Sequence, residues 1–212
     1  MSNKAIVWIR EDFRISDNPA LAHASQQHDL VTALYIFNPK VFIKKREAQQ
    51  WWLSKSLENF KTELSKININ LEIQIGEEIE VLSKINPKDD LTIYWNKVYE
   101  PDVIKLGKKI RDNIFLKKNI KFKYFKGNIL NEFQNVTKKD NTPFKVFTPF
   151  WRVAEQIYVN AVPSKLSKVL KKKKVMNILK IISYLKRFYP KKIGLKNLKI
   201  TGMCLKSNHK IF

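Results

Sequence analysis

Short apolar runs alternate with amphipathic stretches along the first 130 residues of the chain. Five runs have the length of β-strands and end at turn residues; they cover residues 5–9, 30–37, 70–75, 91–95 and 120–125. Four stretches between them have the apolar spacing of helices. The first begins at residue 19, and the other three cover residues 47–67, 77–85 and 101–116. This alternation predicts an α/β fold, a Rossmann-like five-stranded parallel sheet with helices on both faces.

The first predicted helix has a clear start. Asn18 is a favourable N-cap residue, and Pro19 suits the first helical position. In the long helix over residues 47–67, the apolar stripe begins just after Trp51 and Trp52. We therefore predict that both tryptophans are core aromatics.

Charged residues are concentrated directly after the first strand. They are Arg10, Glu11, Asp12, Arg14 and Asp17. In open α/β sheets, ligands bind at the carboxyl ends of the strands, so this turn is a candidate binding site. The chain has only five glycines, and no glycine-rich phosphate loop follows the first strand. This excludes the usual dinucleotide-binding and P-loop patterns.

A second candidate segment follows the fourth strand, at the same predicted edge of the sheet. Asn96 and Glu100 could hydrogen-bond a polar heterocycle there. Glu100 followed by Pro101 could instead simply begin the next helix, with a carboxylate at its N-terminus. The two interpretations of Glu100 are compatible.

Three motifs resemble the DNA photolyase/cryptochrome family. Residues 8–21 match its opening pattern Trp-x-Arg-x-Asp-x-Arg-x-x-Asp-Asn-Pro-Ala-Leu. Residues 96–101 match Asn-x-x-Tyr-Glu-Pro, and residues 143–152 match Pro-x-x-Val-Phe-Thr-Pro-Phe-x-Arg. The resemblance covers residues 4 to about 170.

The resemblance implies a light-harvesting role for the α/β domain. In the family, this domain carries an antenna chromophore of the methenyltetrahydrofolate or deazaflavin type. Arg10, Asn96 and Glu100 are the expected chromophore-binding residues, whereas Asp12, Arg14 and Asp17 are expected to form a structural ion-pair network. No catalytic residue and no metal ligand is expected in this chain.

The resemblance also implies what the complete enzyme does. A deoxyribodipyrimidine photo-lyase uses reduced, light-excited FAD to reverse cyclobutane pyrimidine dimers in damaged DNA. A further helical domain of the family holds the FAD and the DNA, and its sequence is not found here. We therefore expect this chain neither to bind FAD nor to repair DNA alone. A fragment of a cryptochrome photoreceptor is the alternative within the family.

The predicted organisation has three parts. Residues 1–130 form the α/β domain, and residues 131–174 form an interdomain linker with one helix. In that helix, Thr148 is the predicted N-cap and Pro149 the first residue, and the helix extends to about residue 161. Its aromatic residues, Phe147, Phe150 and Trp151, are predicted to be packing residues.

Residues 175–212 are a poorly defined basic tail. From residue 156 onward the chain has 15 lysines and arginines and no acidic residue, within a net charge of +22. One hypothesis is a one-base frame slip near the lysine run at 171–174, because the shifted frame resembles the family's continuation. The alternative is a disordered tail with weak, non-specific affinity for nucleic acid, on a stand-alone α/β binding module.

The remaining composition narrows the class of protein. Cys204 is the only cysteine, and the three histidines are scattered, so neither a disulfide framework nor a zinc site is predicted. No apolar run has the length of a membrane span. We expect a monomeric cytoplasmic protein without a membrane partner.

Overall fold

Five parallel strands form the central sheet in the computed structural model, which describes residues 4–42, 44, 46–85, 90–114, 119–158 and 162–169. The strands are β1 (Lys4–Ile9), β2 (Leu30–Phe37), β3 (Asn70–Ile75), β4 (Leu91–Asn96) and β5 (Ile120–Phe125). The spatial order β3-β2-β1-β4-β5 confirms the predicted Rossmann-like sheet. Because β1 pairs with both β2 and β4, the direction of winding reverses between β1 and β4. Such a reversal opens a crevice at the carboxyl ends of these two strands.

Helices connect and cover the strands. They are α1 (Pro19–Gln27), α2 (Pro39–Phe42), α3 (Glu47–Lys66), α4 (Glu78–Ser83), α5 (Pro101–Ile114) and α6 (Phe147–Ile157). The α1 start is as predicted, because the Asn18 side chain accepts a hydrogen bond from the Leu21 amide. The short helix α2 was not expected; the Phe42 ring packs on the Phe37 ring at 4.9 Å between centroids. Residues 115–116, the predicted end of α5, lie outside the described residues.

Both faces of the sheet are buried under apolar side chains. One face packs against α1 and α3; its buried residues include Val7, Ile9, Leu21, Leu57, Phe60 and Leu64. The other packs against α4 and α5; its buried residues include Trp8, Leu34, Leu82, Ile93, Trp95 and Ile110. This two-sided burial explains why β1, β2 and β4 are almost continuously apolar.

The prediction that Trp51 and Trp52 are core aromatics is wrong for Trp52. That side chain is 51% exposed, and Trp51 is only partly buried. The face of α3 that packs on the sheet is occupied by Leu53, Leu57 and their helical successors. Trp52 directly precedes Leu53, so the helical period turns it away from this stripe.

Helix α6 also departs from the prediction. It begins at Phe147 with Val146 as the N-cap residue, two residues before the predicted N-cap Thr148. Pro149 therefore occupies the third helical position, which is tolerated because amides in the first turn have no intrahelical partner. The helix ends at Ile157, and residue 161 lies outside the described residues.

The aromatic residues of α6 do not belong to the core of the α/β domain. Phe147 is 70% exposed and Trp151 is 48% exposed, and Phe150 is exposed beside them. The prediction that Phe147, Phe150 and Trp151 are packing residues is therefore wrong for the chain's own core, because the residue that α6 buries is Ala154.

The segment 162–169 returns across the α/β domain as a strap. The Val169 side chain is buried in the core between sheet and helices. Its amide donates to the Ile67 carbonyl at 3.1 Å, and its carbonyl accepts from Asn68 Nδ2 at 3.0 Å. The Ser167 amide donates to Ser25 Oγ at 3.1 Å. These contacts attach the strap to α1 and to the end of α3.

We predict that Val169→Ala lowers the free energy of unfolding by about 1–3 kcal/mol, because it removes buried methyl groups from a packed site. Urea denaturation followed by circular dichroism measures the change. Val162→Ala is the matched control, since Val162 lies in the same strap but is largely exposed, and its effect should stay within about 0.5 kcal/mol. Equal midpoints for the two variants would show that the strap is not part of the cooperative unit.

A histidine pair lies under α1 against the sheet. His28 Nε2 and the Tyr94 hydroxyl are 2.8 Å apart, and the His23 ring packs on Tyr94 and Phe125. Nδ1 of each histidine is buried without a hydrogen-bond partner among the described residues. Burial, together with the positive charge of Lys123, lowers the pKa of both imidazoles. Asp29 partly opposes the effect on His28.

These lowered pKa values predict acid sensitivity. Between the unfolded histidine pKa of about 6.5 and the lower folded value, the unfolded chain binds more protons than the folded chain. The free energy of unfolding should therefore decrease as pH falls below about 6.5 and be insensitive to these groups above it. Urea midpoints at pH 7.5 and 5.5 measure the decrease, which should be smaller in the variant His23→Gln/His28→Gln. An unchanged slope in that variant would contradict the assignment.

Candidate functional site

A cleft of about 590 Å³ opens at the carboxyl edge of the sheet, where β1 and β4 end. Three segments line this switch-point cleft: the loop after β1, the loop after β4 and the loop after β5. The lining residues are Glu11, Asp12, Arg14, Asn96, Lys97, Val98, Tyr99, Glu100, Pro101, Gly127, Asn128 and Ile129. The volume is in the range of small-molecule binding sites.

The Asn96 side chain connects the end of β4 to the β1–α1 loop. Asn96 is buried; its Oδ1 accepts from the Ala20 amide at 3.1 Å. Its Nδ2 donates to Asp12 Oδ2 at 2.7 Å and to Asn18 Oδ1 at 2.8 Å. Both amide hydrogens and the amide oxygen are therefore used within the protein. Asn96 shapes the wall of the cleft through these bonds.

Arg10 lies behind this wall. Its guanidinium carbon is 4.4 Å from the centre of a Trp8 ring, and Nη2 donates to the Asn96 carbonyl at 3.3 Å. Burial lowers the pKa of the guanidinium, and the nearby carboxylates of Asp12, Glu78 and Glu11 oppose that effect. Arg10 is not among the residues that line the cleft. It therefore supports the ends of β1 and β4 through a cation–π contact and a hydrogen bond.

The predicted ion-pair network of Asp12, Arg14 and Asp17 takes a different form. Arg14 Nε donates to the main-chain carbonyl of Asp17 at 3.1 Å, and Asp17 Oδ1 accepts from the Ser164 amide at 3.1 Å. Asp12 Oδ1 accepts from the Arg10 amide at 3.1 Å. The turn places Asp17 in the left-handed region, with φ of 49°. Hydrogen bonds to main-chain and amide groups satisfy these side chains here, so the ion-pair prediction is wrong in detail.

Tyr99 organises the opposite wall. Its hydroxyl donates to Glu132 Oε1 at 3.1 Å and accepts from the Gly127 amide at 3.2 Å. Lys97 Nζ forms an ion pair with the same Glu132 oxygen at 2.9 Å. This hydrogen bond raises the pKa of Lys97, whereas burial is the main reason that the pKa of Tyr99 is raised. No local sequence pattern marks this cluster, because Tyr99 and Glu132 lie 33 positions apart.

Gly127 sits where the loops after β4 and β5 touch. A Cβ atom at this position would lie 1.9 Å from the Lys97 carbonyl oxygen. The main chain cannot move away easily, because the Lys97 amide donates to the Phe125 carbonyl at 2.9 Å. Glycine is therefore required for the close approach of the two loops.

We predict that Gly127→Ala lowers the free energy of unfolding by more than about 1 kcal/mol, because the new methyl group must displace main-chain atoms. Thermal or urea denaturation measures the loss. Gly107→Ala is the control: its Cβ meets no atom within 4 Å, and it lies inside α5. Alanine should stabilise that helix by up to about 1 kcal/mol. A Gly127→Ala protein as stable as the wild type would contradict the close packing.

Glu100 differs from the other predicted site residues because its side chain is available. Its main-chain carbonyl accepts from the Ile104 amide at 2.9 Å, which begins α5. The residue is exposed and lines the cleft, and no described residue donates a hydrogen bond to its carboxylate. The start of a helix and an exposed carboxylate at the cleft therefore coexist at this position. Of Arg10, Asn96 and Glu100, only Glu100 presents a free polar group to the cleft.

The fold and cleft define a doubly wound α/β domain with a cleft at the switch point and without a glycine-rich phosphate loop after the first strand. The family model described as DNA photolyase matches residues 5–168. The chain belongs to the DNA photolyase family. The family resemblance of the three motifs is thus confirmed.

Relatives of the chain include both photolyases and cryptochromes. The deoxyribodipyrimidine photo-lyase of Agrobacterium fabrum is 32% identical over 155 residues, which are 71% of this chain and 31% of that protein. Cryptochrome-2 of Arabidopsis thaliana is 26% identical over 167 residues, which are 76% of this chain and 27% of that protein. The chain thus spans about a third of the length of these relatives.

Solved structures agree in fold. A bacterial class III photolyase from Agrobacterium tumefaciens superposes with a TM-score of 0.73 at 28% identity, covering 88% of this chain and 38% of that one. An archaeal photolyase from Sulfolobus tokodaii, whose structure holds two FAD molecules and implies a novel light-harvesting cofactor, has a TM-score of 0.71 at 27% identity. That match covers 88% of this chain and 42% of the archaeal chain.

Within the described residues, no three His, Cys, Asp or Glu side chains are grouped so that they could hold a metal ion. None of the helices in the same part of the chain is long and apolar enough to cross a bilayer.

Proposed function

We propose that this chain is the light-harvesting α/β part of a photolyase and that the switch-point cleft binds the antenna chromophore. The observation that carries the proposal is the Glu100 carboxylate, which lines the cleft and has no hydrogen-bond donor among the described residues. A carboxylate in such a position can accept hydrogen bonds from the N–H groups of a heterocycle. When bound, the chromophore would absorb light and pass the energy to a flavin.

The cleft favours some chromophores over others. Its carboxylates, Glu11, Asp12 and Glu100, outnumber its cations, Arg14 and Lys97, and Lys97 is paired with Glu132. Like charges repel, so this lining disfavours a diphosphate group and favours a heterocycle with N–H donors. A pterin such as methenyltetrahydrofolate or a deazaflavin fits this description. The apolar side chains of Val98, Pro101 and Ile129 would contact the flat ring.

The three predicted chromophore-binding residues would then have two roles. Glu100 would contact the chromophore directly. Arg10 and Asn96 would position the cleft wall. The Asn96 amide is already bonded to Asp12 and Asn18, and the Arg10 guanidinium lies over Trp8 and does not line the cleft.

We propose that this chain contributes to DNA repair only as the α/β part of a longer assembly. The photolyase relatives are about three times as long as the matched segment, and the described residues form the α/β part. We expect this 212-residue polypeptide to show no light-dependent repair alone.

The test is chromophore binding by the purified chain. We predict that methenyltetrahydrofolate or a deazaflavin binds and that Glu100→Gln raises the dissociation constant by about 10-fold or more, because charge-assisted hydrogen bonds contribute roughly 1.5–3 kcal/mol. Chromophore absorbance and fluorescence titrations measure the constant. Glu80→Gln, the same charge change on α4 away from the cleft, should leave it within about twofold. Absence of binding, or equal effects of both variants, would refute the proposal.

A further inference from the structure

Strand β5 forms one edge of the sheet. Among the described strands it pairs only with β4, on its inner side. The Lys97 amide, just after β4, donates to the Phe125 carbonyl at 2.9 Å. Since main-chain groups alternate in direction along a strand, those of Phe122 and Tyr124 point away from β4. Within the described residues, no main-chain hydrogen bond joins these two residues to another segment.

The side chains of β5 have different chemistry on the two faces of the strand. Lys121 and Lys123 point to one face and are exposed, whereas Phe122 and Tyr124 point to the other. Tyr124 is 47% exposed and stacks on the buried Trp95 ring, with 5.9 Å between the ring centroids. The edge therefore presents two cations on one face and an aromatic surface on the other.

Positive charge dominates the surroundings of this edge. The guanidinium carbon of Arg111 lies 5.7 Å from the centre of the Tyr124 ring, so that α5 borders the strand with a cation. Arg111 and Lys123 form no ion pair within the described part of the chain. Lys121 has one contact of 4.0 Å with Asp90, in which both side chains are largely exposed. Such a pair contributes little, so the edge favours an acidic occupant.

Charge and main-chain geometry decide between the possible occupants. A second copy of β5 would place lysines opposite lysines, which is destabilising. The chain's own residues from 156 onward include no acidic side chain, so they are not complementary to the lysines. A nucleic acid would neutralise the lysines but supplies no ladder of alternating donors and acceptors for the outward main-chain groups. An extended acidic segment of another protein supplies both.

We propose that β5 binds an extended segment of a partner protein in which acidic residues alternate with apolar ones, so that the segment adds a strand to the sheet. Its acidic side chains would lie beside Lys121 and Lys123, and its apolar side chains beside Phe122 and Tyr124. Main-chain hydrogen bonds provide affinity, and the alternation provides specificity. The proposal is independent of chromophore binding, because no residue of β5 lines the switch-point cleft.

The test titrates the isotope-labelled full chain with a synthetic peptide in which Glu and Val alternate, followed by NMR. We predict chemical-shift changes centred on β5 and slower hydrogen exchange at the outward amides of Phe122 and Tyr124. A control peptide of the same composition carries its glutamates and valines in two separate blocks. It should bind at least about fivefold more weakly, because its side chains do not match the two faces of the strand.

Lys123→Glu should raise the dissociation constant of the alternating peptide by about fivefold or more, because it places like charges beside each other. Lys109→Glu is the matched control. Lys109 is also an exposed lysine, and its position two residues before Arg111 puts it on the other side of α5. This variant should leave the constant within about twofold. Urea midpoints establish that both variants are folded, and Lys121→Glu replaces Lys123→Glu if the latter unfolds.

Several results would overturn the proposal. One is unchanged hydrogen exchange at the amides of Phe122 and Tyr124 when the alternating peptide is saturating. Equal affinities of the alternating and block peptides would be another, as would equal effects of the two lysine variants. An oligothymidylate that binds at β5 more tightly than the alternating peptide would assign the edge to nucleic acid instead.

Discussion

The side-chain amide of Asn96 determines the geometry of the carboxyl edge of the sheet. It closes β4 and makes three hydrogen bonds to the loop after β1 and to the first turn of α1. Each such bond contributes about 0.5–1.5 kcal/mol net, but an unpaired buried partner costs about 1–3 kcal/mol. Because Asn18 also caps α1, the cleft wall and the helix start cannot change independently. The network thus forms a junction that joins the end of β4 to the loop after β1.

This junction determines which polar groups at the cleft already have hydrogen-bond partners. Arg10 and Asn96 are at the same edge as Glu100, yet the Asn96 amide is fully used in building the wall. The Arg10 guanidinium lies over Trp8, and one of its N–H groups donates to the Asn96 carbonyl. The opposite wall is also satisfied internally, by the bonds that join Tyr99, Glu132 and Gly127. Few polar groups of the cleft are therefore left outside the internal network of the described residues, and the Glu100 carboxylate is one of them. A rigid cleft of this kind suits a ligand whose orientation matters.

Much of the fold follows from the sequence because buried parallel strands are continuously apolar and helix starts carry local signals. The bounds of β2, β3 and β5 match their apolar runs, and the α1 cap matches Asn18 and Pro19. The Tyr99–Glu132 contact has no comparable signal, since it joins two different loops, 33 positions apart in the chain, and neither loop has periodicity. Likewise, a β–α–β pattern places Asn96 and Glu100 at one edge but does not reveal which side chain is already bonded. That distinction depends on tertiary partners.

Helix α6 shows the same limit from the apolar side. Its sequence reveals an apolar face, and the simplest inference is that the chain's own core covers it. The α/β core is nevertheless complete without that face, because both sides of the sheet are filled by α1, α3, α4 and α5 and the strap contributes Val169. Phe147 and Trp151 are therefore exposed although the α/β core is fully packed. Periodicity shows where an apolar surface lies on a helix, whereas it does not show what that surface contacts.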